Sequence, residues 1–435
     1  MTATAARALA LPPPAGAAPG TAAAPPPERF LARAANRFFP AAWAKGWLPP
    51  PDLEETTLLE QAARVARSTD FGGDDFLPAL RILLPALREE AGLTPLGRVI
   101  AHGSALKVLI ERAQVAQLLK AEPAIATRPL APPLVIAGPM RSGTTRLHRL
   151  LAQDPRFVHL RFFEATFPVP PAPGATDWRP RKAGALLAFL RRLNPALDAI
   201  HPTAPFEPDE ELGLFEHSFW GAQLEAQRPI PSFARWCEAA DPGPAYRWLG
   251  VLLRLIGHAR GDPPQRPWLL KTPQHLAHLA GLDRAFPGAR ILVTHRDPQA
   301  VVASGASLAF HQMSIQVERP DPHWAGREWL HKTASRIAAM ERDRAALPAG
   351  QLLDIHFAEM NADWAGELAR IYRWLDMDWP PAVRAAQARW LAGEARRPRH
   401  RAHRYRLADF GLTSGQVEEQ LGGYRAAFAI PFERA

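Results

Sequence analysis

Cysteine is nearly absent: Cys237 is the single one in 435 residues. This excludes an internal disulfide framework and leaves no thiol cluster for a zinc or iron–sulfur centre, so a reducing, cytoplasmic setting is expected. Long apolar runs are missing too. No window holds the roughly 18 uninterrupted apolar residues that a membrane span requires. The opening stretch has no compact cationic region followed by an apolar one, because Pro12, Pro13 and Pro14 interrupt it, and residues 1–30 read as a disordered Ala/Pro-rich arm. Lysine is rare. The net charge of +9 comes from arginines scattered among Ala, Leu and Pro, without the basic stripe that nucleic acid would demand.

Hydrophobic residues make up 47% of the chain and charged ones 22%. That balance supports one large α/β domain with a smaller accessory unit. Apolar positions recur at helical spacing over residues 31–128, predicting a helical N-terminal unit. A rigid connector, Arg128-Pro129-Leu130-Ala131-Pro132-Pro133, precedes the short apolar run Leu134 to Ala137, which reads as a buried parallel strand. Further runs, Trp268 to Leu270, Ile291 to Thr294 and Leu352 to Ile355, are each followed by a helical pattern. Alternating strands and helices predict a P-loop-type parallel sheet flanked by helices over residues 129–435. Ligands of such sheets sit at the carboxyl ends of strands. The Pro-rich stretch from Phe167 to Pro180 is expected as a surface loop near that edge.

Between the first strand and its helix runs Gly138-Pro139-Met140-Arg141-Ser142-Gly143-Thr144-Thr145. Successive backbone N–H groups in such a loop, backed by a helix N-terminus, cradle an anion, and the hydroxyls add donors. A Walker loop carries its lysine where Thr144 stands. That absence counts against an ATP-dependent phosphotransferase, the alternative class, whose lysine works on the β- and γ-phosphates. The cation here is Arg141, whose planar fork suits a phosphosulfate.

A second signature follows the strand Ile291 to Thr294. Arg296 stands at the strand end, Asp297-Pro298 starts a helix, and Ser304 lies two turns on, where it can converge with Arg296 on one anion. Lys271, in Leu270-Lys271-Thr272-Pro273, ends an apolar strand; a lysine buried there needs an anionic partner.

Together, and in this order, these motifs resemble those of sulfotransferases that use 3′-phosphoadenosine 5′-phosphosulfate (PAPS). The resemblance covers about residues 133–430 and is to a bacterial branch related to tyrosylprotein and carbohydrate sulfotransferases. It departs in detail, since Met140 separates Pro139 from the Arg-Ser-Gly-Thr-Thr core. The resemblance implies that Arg141, Ser142, Gly143, Thr144 and Thr145 bind the 5′-phosphosulfate, that Arg296 and Ser304 bind the 3′-phosphate, and that Lys271 serves the sulfonate and bridging oxygen. It makes Arg401 and Arg404 candidates for a late basic loop on the 3′-phosphate. It implies a small-molecule, lipid or carbohydrate acceptor with a hydroxyl, and no metal.

Removal of the acceptor proton needs a base. Glu164, in Phe162-Phe163-Glu164-Ala165-Thr166, follows the phosphate loop at the family's distance, among apolar neighbours expected to raise its pKa. His201, Glu207 and Glu211 stand in reserve; they are also suited to building the acceptor pocket or capping a helix near Asp209. A fold that binds PAPS without turnover is the remaining alternative.

Overall fold

The computed structural model describes residues 30–195, 202–396 and 405–433. The arm expected over residues 1–30 lies outside them except for Phe30, where the first helix begins. Helices α1 (Phe30–Ala44), α2 (Glu55–Ala66), α3 (Leu77–Glu89), α4 (Pro95–Ala121) and α5 (Ala124–Thr127) precede the first strand. Strand β1 (Leu134–Ala137) leads into α6 (Thr144–Leu151), and β2 (Val158–His159) into α7 (Phe162–Thr166). The long passage to β3 (Trp268–Lys271) contains α8 (Arg179–Leu193), α9 (Leu212–Phe215), α10 (Ala222–Gln227), α11 (Pro231–Ala239) and α12 (Gly243–Arg260). Then come α13 (Leu279–Ala285), β4 (Arg290–His295), α14 (Pro298–Met313), α15 (Pro322–Arg344), β5 (Leu352–His356), α16 (Phe357–Ala362), α17 (Trp364–Trp374), α18 (Pro381–Arg396) and α19 (Ser414–Ala427).

Among the described residues the strands form one five-stranded sheet in the order β2-β3-β1-β4-β5, parallel throughout. The expected parallel sheet is therefore present, and β2 is an addition too short to leave a periodic signal. Both faces are covered. Along β1, Leu134 and Ile136 join Leu147 and Leu150 of α6 and Ile371 of α17. Val135 and Ala137 turn the other way, onto Leu252 of α12 and Ile337 of α15. The strand's period of two thus divides one apolar run between two cores.

The helical N-terminal region buries Leu80, Leu83, Leu84 and Leu87 at i, i+3, i+4 and i+7 on α3. Its core continues past the connector, because Phe219, Leu224, Phe233 and Cys237 belong to the same cluster. Arg112 of α4 ties the two regions. Fully buried, it donates to the Phe71 and His217 carbonyls at 3.0 and 2.8 Å and lies between the rings of Phe76 and Trp248.

Register positions the site. Ile136 of β1 lies level with Lys271 of β3, and Ala137 with Val293 of β4. The carboxyl ends of the three central strands therefore finish at one edge, with the 138–145 loop at their centre.

Candidate active site

Gly138 opens the loop where it crosses β4. A Cβ there would stand 1.9 Å from Thr294 Oγ1, so only glycine lets the backbone pass. Ser142 Oγ donates to the Pro139 carbonyl at 2.7 Å and meets Thr294 Oγ1 at 2.5 Å, closing the loop on itself and pinning it to β4. Two residues take left-handed backbone: Gly143, which precedes α6, at φ 90°, and Arg141 at φ 73°. A non-glycine in that region costs on the order of 1 kcal/mol, held here by the surrounding contacts.

Arg141 is the hub. Its Nε donates to Ser304 Oγ at 3.0 Å, and its carbonyl accepts from Arg296 Nη1 at 2.7 Å. The two residues expected to share the 3′-phosphate thus meet at the arginine expected to serve the 5′ end. Burial lowers the Arg141 guanidinium from its usual value, the Tyr405 phenol opposes this, and Arg296 adds repulsion. Asp297 caps α14 by accepting from Gln299 N at 2.9 Å, as the Asp-Pro start implies.

Arg296 itself is committed further. Its Nε and Nη2 donate to the two carboxylate oxygens of Glu433 at 2.6 and 2.7 Å, and its guanidinium lies 4.1 Å from the Phe357 ring centre. Burial pulls its pKa down, but Glu433 outweighs this and the net shift is upward. Nothing in the pattern around Arg296 signals a partner 137 positions away.

Lys271 is 1% exposed, at the end of β3. Its Nζ lies 3.3 Å from Thr145 Oγ1 and forms an ion pair with Glu210. The anionic partner that its burial demands is thus a protein carboxylate in this structure. Sequence reasoning passed over Glu210; the available signal was the acidic run Glu207-Pro208-Asp209-Glu210-Glu211 set against a rare buried lysine. His148 of α6 is fully buried nearby, and neither ring nitrogen has a hydrogen-bond partner among the described residues. Burial, reinforced by the charge of Lys271, keeps it neutral, with a pKa well below the usual value.

Glu164 does not stand where it was expected. It belongs to the first turn of α7, and its surroundings are cationic rather than the apolar ones expected. Arg260 grips both carboxylate oxygens, Nε donating to Oε1 at 2.7 Å and Nη2 to Oε2, while the Arg161 N–H donates to Oε2 at 3.0 Å in a capping box. Arg260 is the last residue of α12.

Of the reserve residues, Glu207 lies 3.8 Å from Arg149. Glu211 accepts the Lys271 N–H at 2.8 Å and stands 3.4 Å from His275. The helix expected near Asp209 begins at Leu212, and Asp209 instead accepts the Glu210 N–H at 2.7 Å. His201, Arg401 and Arg404 lie outside the described residues. Tyr405 packs beside Met140 against the cluster of Phe310, Trp329 and Phe410, close enough to act on Arg141 and Arg296. Among the described residues no group of three or more His, Cys, Asp or Glu is arranged to hold a metal ion, and no helix is long and apolar enough to cross a membrane.

The model of the sulfotransferase family matches residues 132–381. No curated protein matches the chain. Among solved structures, the chain is similar to sulfotransferase STF1 from Mycobacterium tuberculosis at 28% identity and a TM-score of 0.75, covering 86% of this chain and 100% of that one. It is similar to sulfotransferase STF9 from Mycobacterium avium at 26% identity and a TM-score of 0.77, covering 88% and 99%. With that family model spanning more than half of its length, from the connector before β1 to the start of α18, the chain belongs to the sulfotransferase family.

Proposed function

We propose that the chain transfers the sulfonyl group of PAPS to a hydroxyl of a small-molecule, lipid or carbohydrate acceptor. The observation that supports it best is the linkage of Arg141 to both Ser304 and Arg296 at the edge where Lys271 reaches Thr145. This array of cations and loop donors suits a nucleotide with anionic groups at two ends. Arg141 and residues 142–145 would hold the 5′-phosphosulfate, Arg296 and Ser304 the 3′-phosphate. Arg404 would join them from a segment outside the described residues. Lys271 would face the sulfonate and the bridging oxygen.

Transfer proceeds in line. The acceptor oxygen bonds to sulfur as the bond from sulfur to the bridging oxygen breaks, and the acceptor proton passes to a glutamate. The positive charges stabilise the oxygens that gain negative charge. Glu164, the carboxylate singled out by the sequence, takes that proton only if Arg260 first gives up an oxygen. No metal enters this reading, and its setting is the cytoplasm, where the single thiol stays reduced.

A nucleotide panel tests the cosubstrate. PAPS binding without magnesium, tighter than adenosine 5′-phosphosulfate or ATP with magnesium, supports the proposal; selective binding of Mg-ATP turns it toward phosphotransfer. Labelled PAPS with phenols, sterols, sugars, lipids and tyrosine peptides then identifies the acceptor class.

A further inference from the structure

We propose that Glu210 is the catalytic base, an inference that rests on the sulfonyl-transfer reading and names the group that receives the acceptor proton. Glu210 is held at the strand ends by its neighbours. Phe162 N donates to the Glu207 carbonyl and Asp209 N to the Leu160 carbonyl, each at 3.0 Å, and Arg161 forms an antiparallel bridge with Pro208. The 207–209 segment therefore runs as a strap along the chain that leaves β2. On its other side, Glu211 accepts the Lys271 N–H at 2.8 Å and fastens the strap to β3. Glu210 sits between these two anchors, and its carboxylate lies against Lys271 Nζ.

That contact puts a proton acceptor beside the group that faces the sulfonate. A base must reach the attacking oxygen, which in turn must lie close to sulfur. Glu210 meets this requirement through its contact with Lys271; Glu164, clasped by Arg260, does not. The pair also orders the events. While Lys271 and Glu210 are joined, the carboxylate is neutralised. When Lys271 turns to the sulfonate, Glu210 is released beside the acceptor oxygen. The acceptor O–H bond then breaks toward a Glu210 oxygen, the new oxygen–sulfur bond forms, and the electron pair of the broken sulfur–oxygen bond leaves on the 5′-phosphate of 3′-phosphoadenosine 5′-phosphate (PAP). Among the described residues, the charged and titratable groups around Glu210 include Lys271 of β3, Arg141 of the loop, His148 of α6, and Asp209 and Glu211 beside it in the chain.

The test uses the full chain, PAPS and 2-naphthol, with PAP release as the readout and direct PAPS binding beside it. In E210Q the amide oxygen still accepts from Lys271 but takes no proton. Its kcat should fall about 10²- to 10⁴-fold with the PAPS dissociation constant held within a few-fold. The acidic limb of its kcat–pH profile should vanish, and formate should restore turnover to E210A. E210D, which remains a carboxylate, should keep that limb at a reduced rate. A kcat for E210Q near the parent value overturns the assignment, and so does a loss that keeps the acidic limb and ignores formate, the mark of a residue that only positions Lys271. If the parent protein binds no PAPS and releases no PAP, sulfonyl transfer itself fails, a different result from either.

Discussion

Arg296 and Glu433 form a two-point pair, Nε to Oε1 at 2.6 Å and Nη2 to Oε2 at 2.7 Å, beside the serine and the arginine that the proposed 3′-phosphate site shares. The planar carboxylate takes the two donors that a phosphate edge would use. Cosubstrate binding in this reading therefore competes with Glu433. E433Q should tighten binding of PAPS and PAP by about 3- to 10-fold, the equivalent of roughly 1 kcal/mol. Titration calorimetry at fixed ionic strength measures it; weaker binding would mean that Glu433 holds Arg296 in the productive position.

Arg296 also makes a prediction about ligand choice. R296A should lose affinity for PAPS while binding of adenosine 5′-phosphosulfate, which lacks the 3′-phosphate, changes little. Equal losses for both would assign Arg296 to the Arg141 carbonyl and the Glu433 tail alone.

Arg141 carries two separable properties, a cation and a left-handed backbone. R141A should cost about 1.5–3 kcal/mol of PAPS binding, or about 10- to 100-fold in dissociation constant. R141G removes the same charge and eases the backbone at φ 73°, so it should be more stable to urea than R141A and equally poor in binding. A Gly variant that binds like the parent would move the role from the guanidinium to the loop.

Glu164 and Arg260 form a largely buried ion pair. Glu164 is 1% exposed, and removing one partner of a buried ion pair costs about 3–5 kcal/mol. E164Q should therefore lower the urea midpoint, while turnover well below that midpoint follows the parent. An unchanged midpoint with turnover lost on the order of a hundredfold or more would return the base to Glu164.

Mild acid should weaken the fold. His148 is held well below its ordinary pKa, first by burial and then by Lys271, and His159 is lowered to about 4, first by burial and then by Arg260. The unfolded chain protonates both near 6.5, so it binds more protons than the native one below that value. Stability is fully present above about pH 6.5 and declines as pH falls toward 4. Urea midpoints between pH 7.5 and 4.5 measure the slope, and H159N should flatten it.

Four strands of the central sheet, β1, β3, β4 and β5, are legible because each is a short apolar run bounded by Pro, Gly or a charged motif, whereas the two residues of β2 leave no such run. The loop is legible because Gly138 and the Arg-Ser-Gly-Thr-Thr run are local. Lys271 announces itself as a lone cation on an apolar strand. Partners are what the linear pattern hides. Glu210 meets Lys271, Arg260 meets Glu164 and Glu433 meets Arg296 across sequence separations of 61, 96 and 137 positions, and no periodicity encodes such pairings. The surroundings of Glu164 are hidden in the same way: Phe162, Phe163 and Phe167 flank it in sequence, whereas α12 delivers a guanidinium from elsewhere.

Arg112 has a consequence for synthesis. It lies 105 positions before His217, the carbonyl that completes its hydrogen bonding, and before Trp248, which covers one face of its guanidinium. At about 5–20 residues per second on the ribosome, α4 waits roughly 5–30 s for those partners with its polar group unsealed. A nascent chain arrested just after α4 should be cut readily by protease in its helical region. One arrested far enough past α12 for residues 217–248 to clear the exit tunnel should resist.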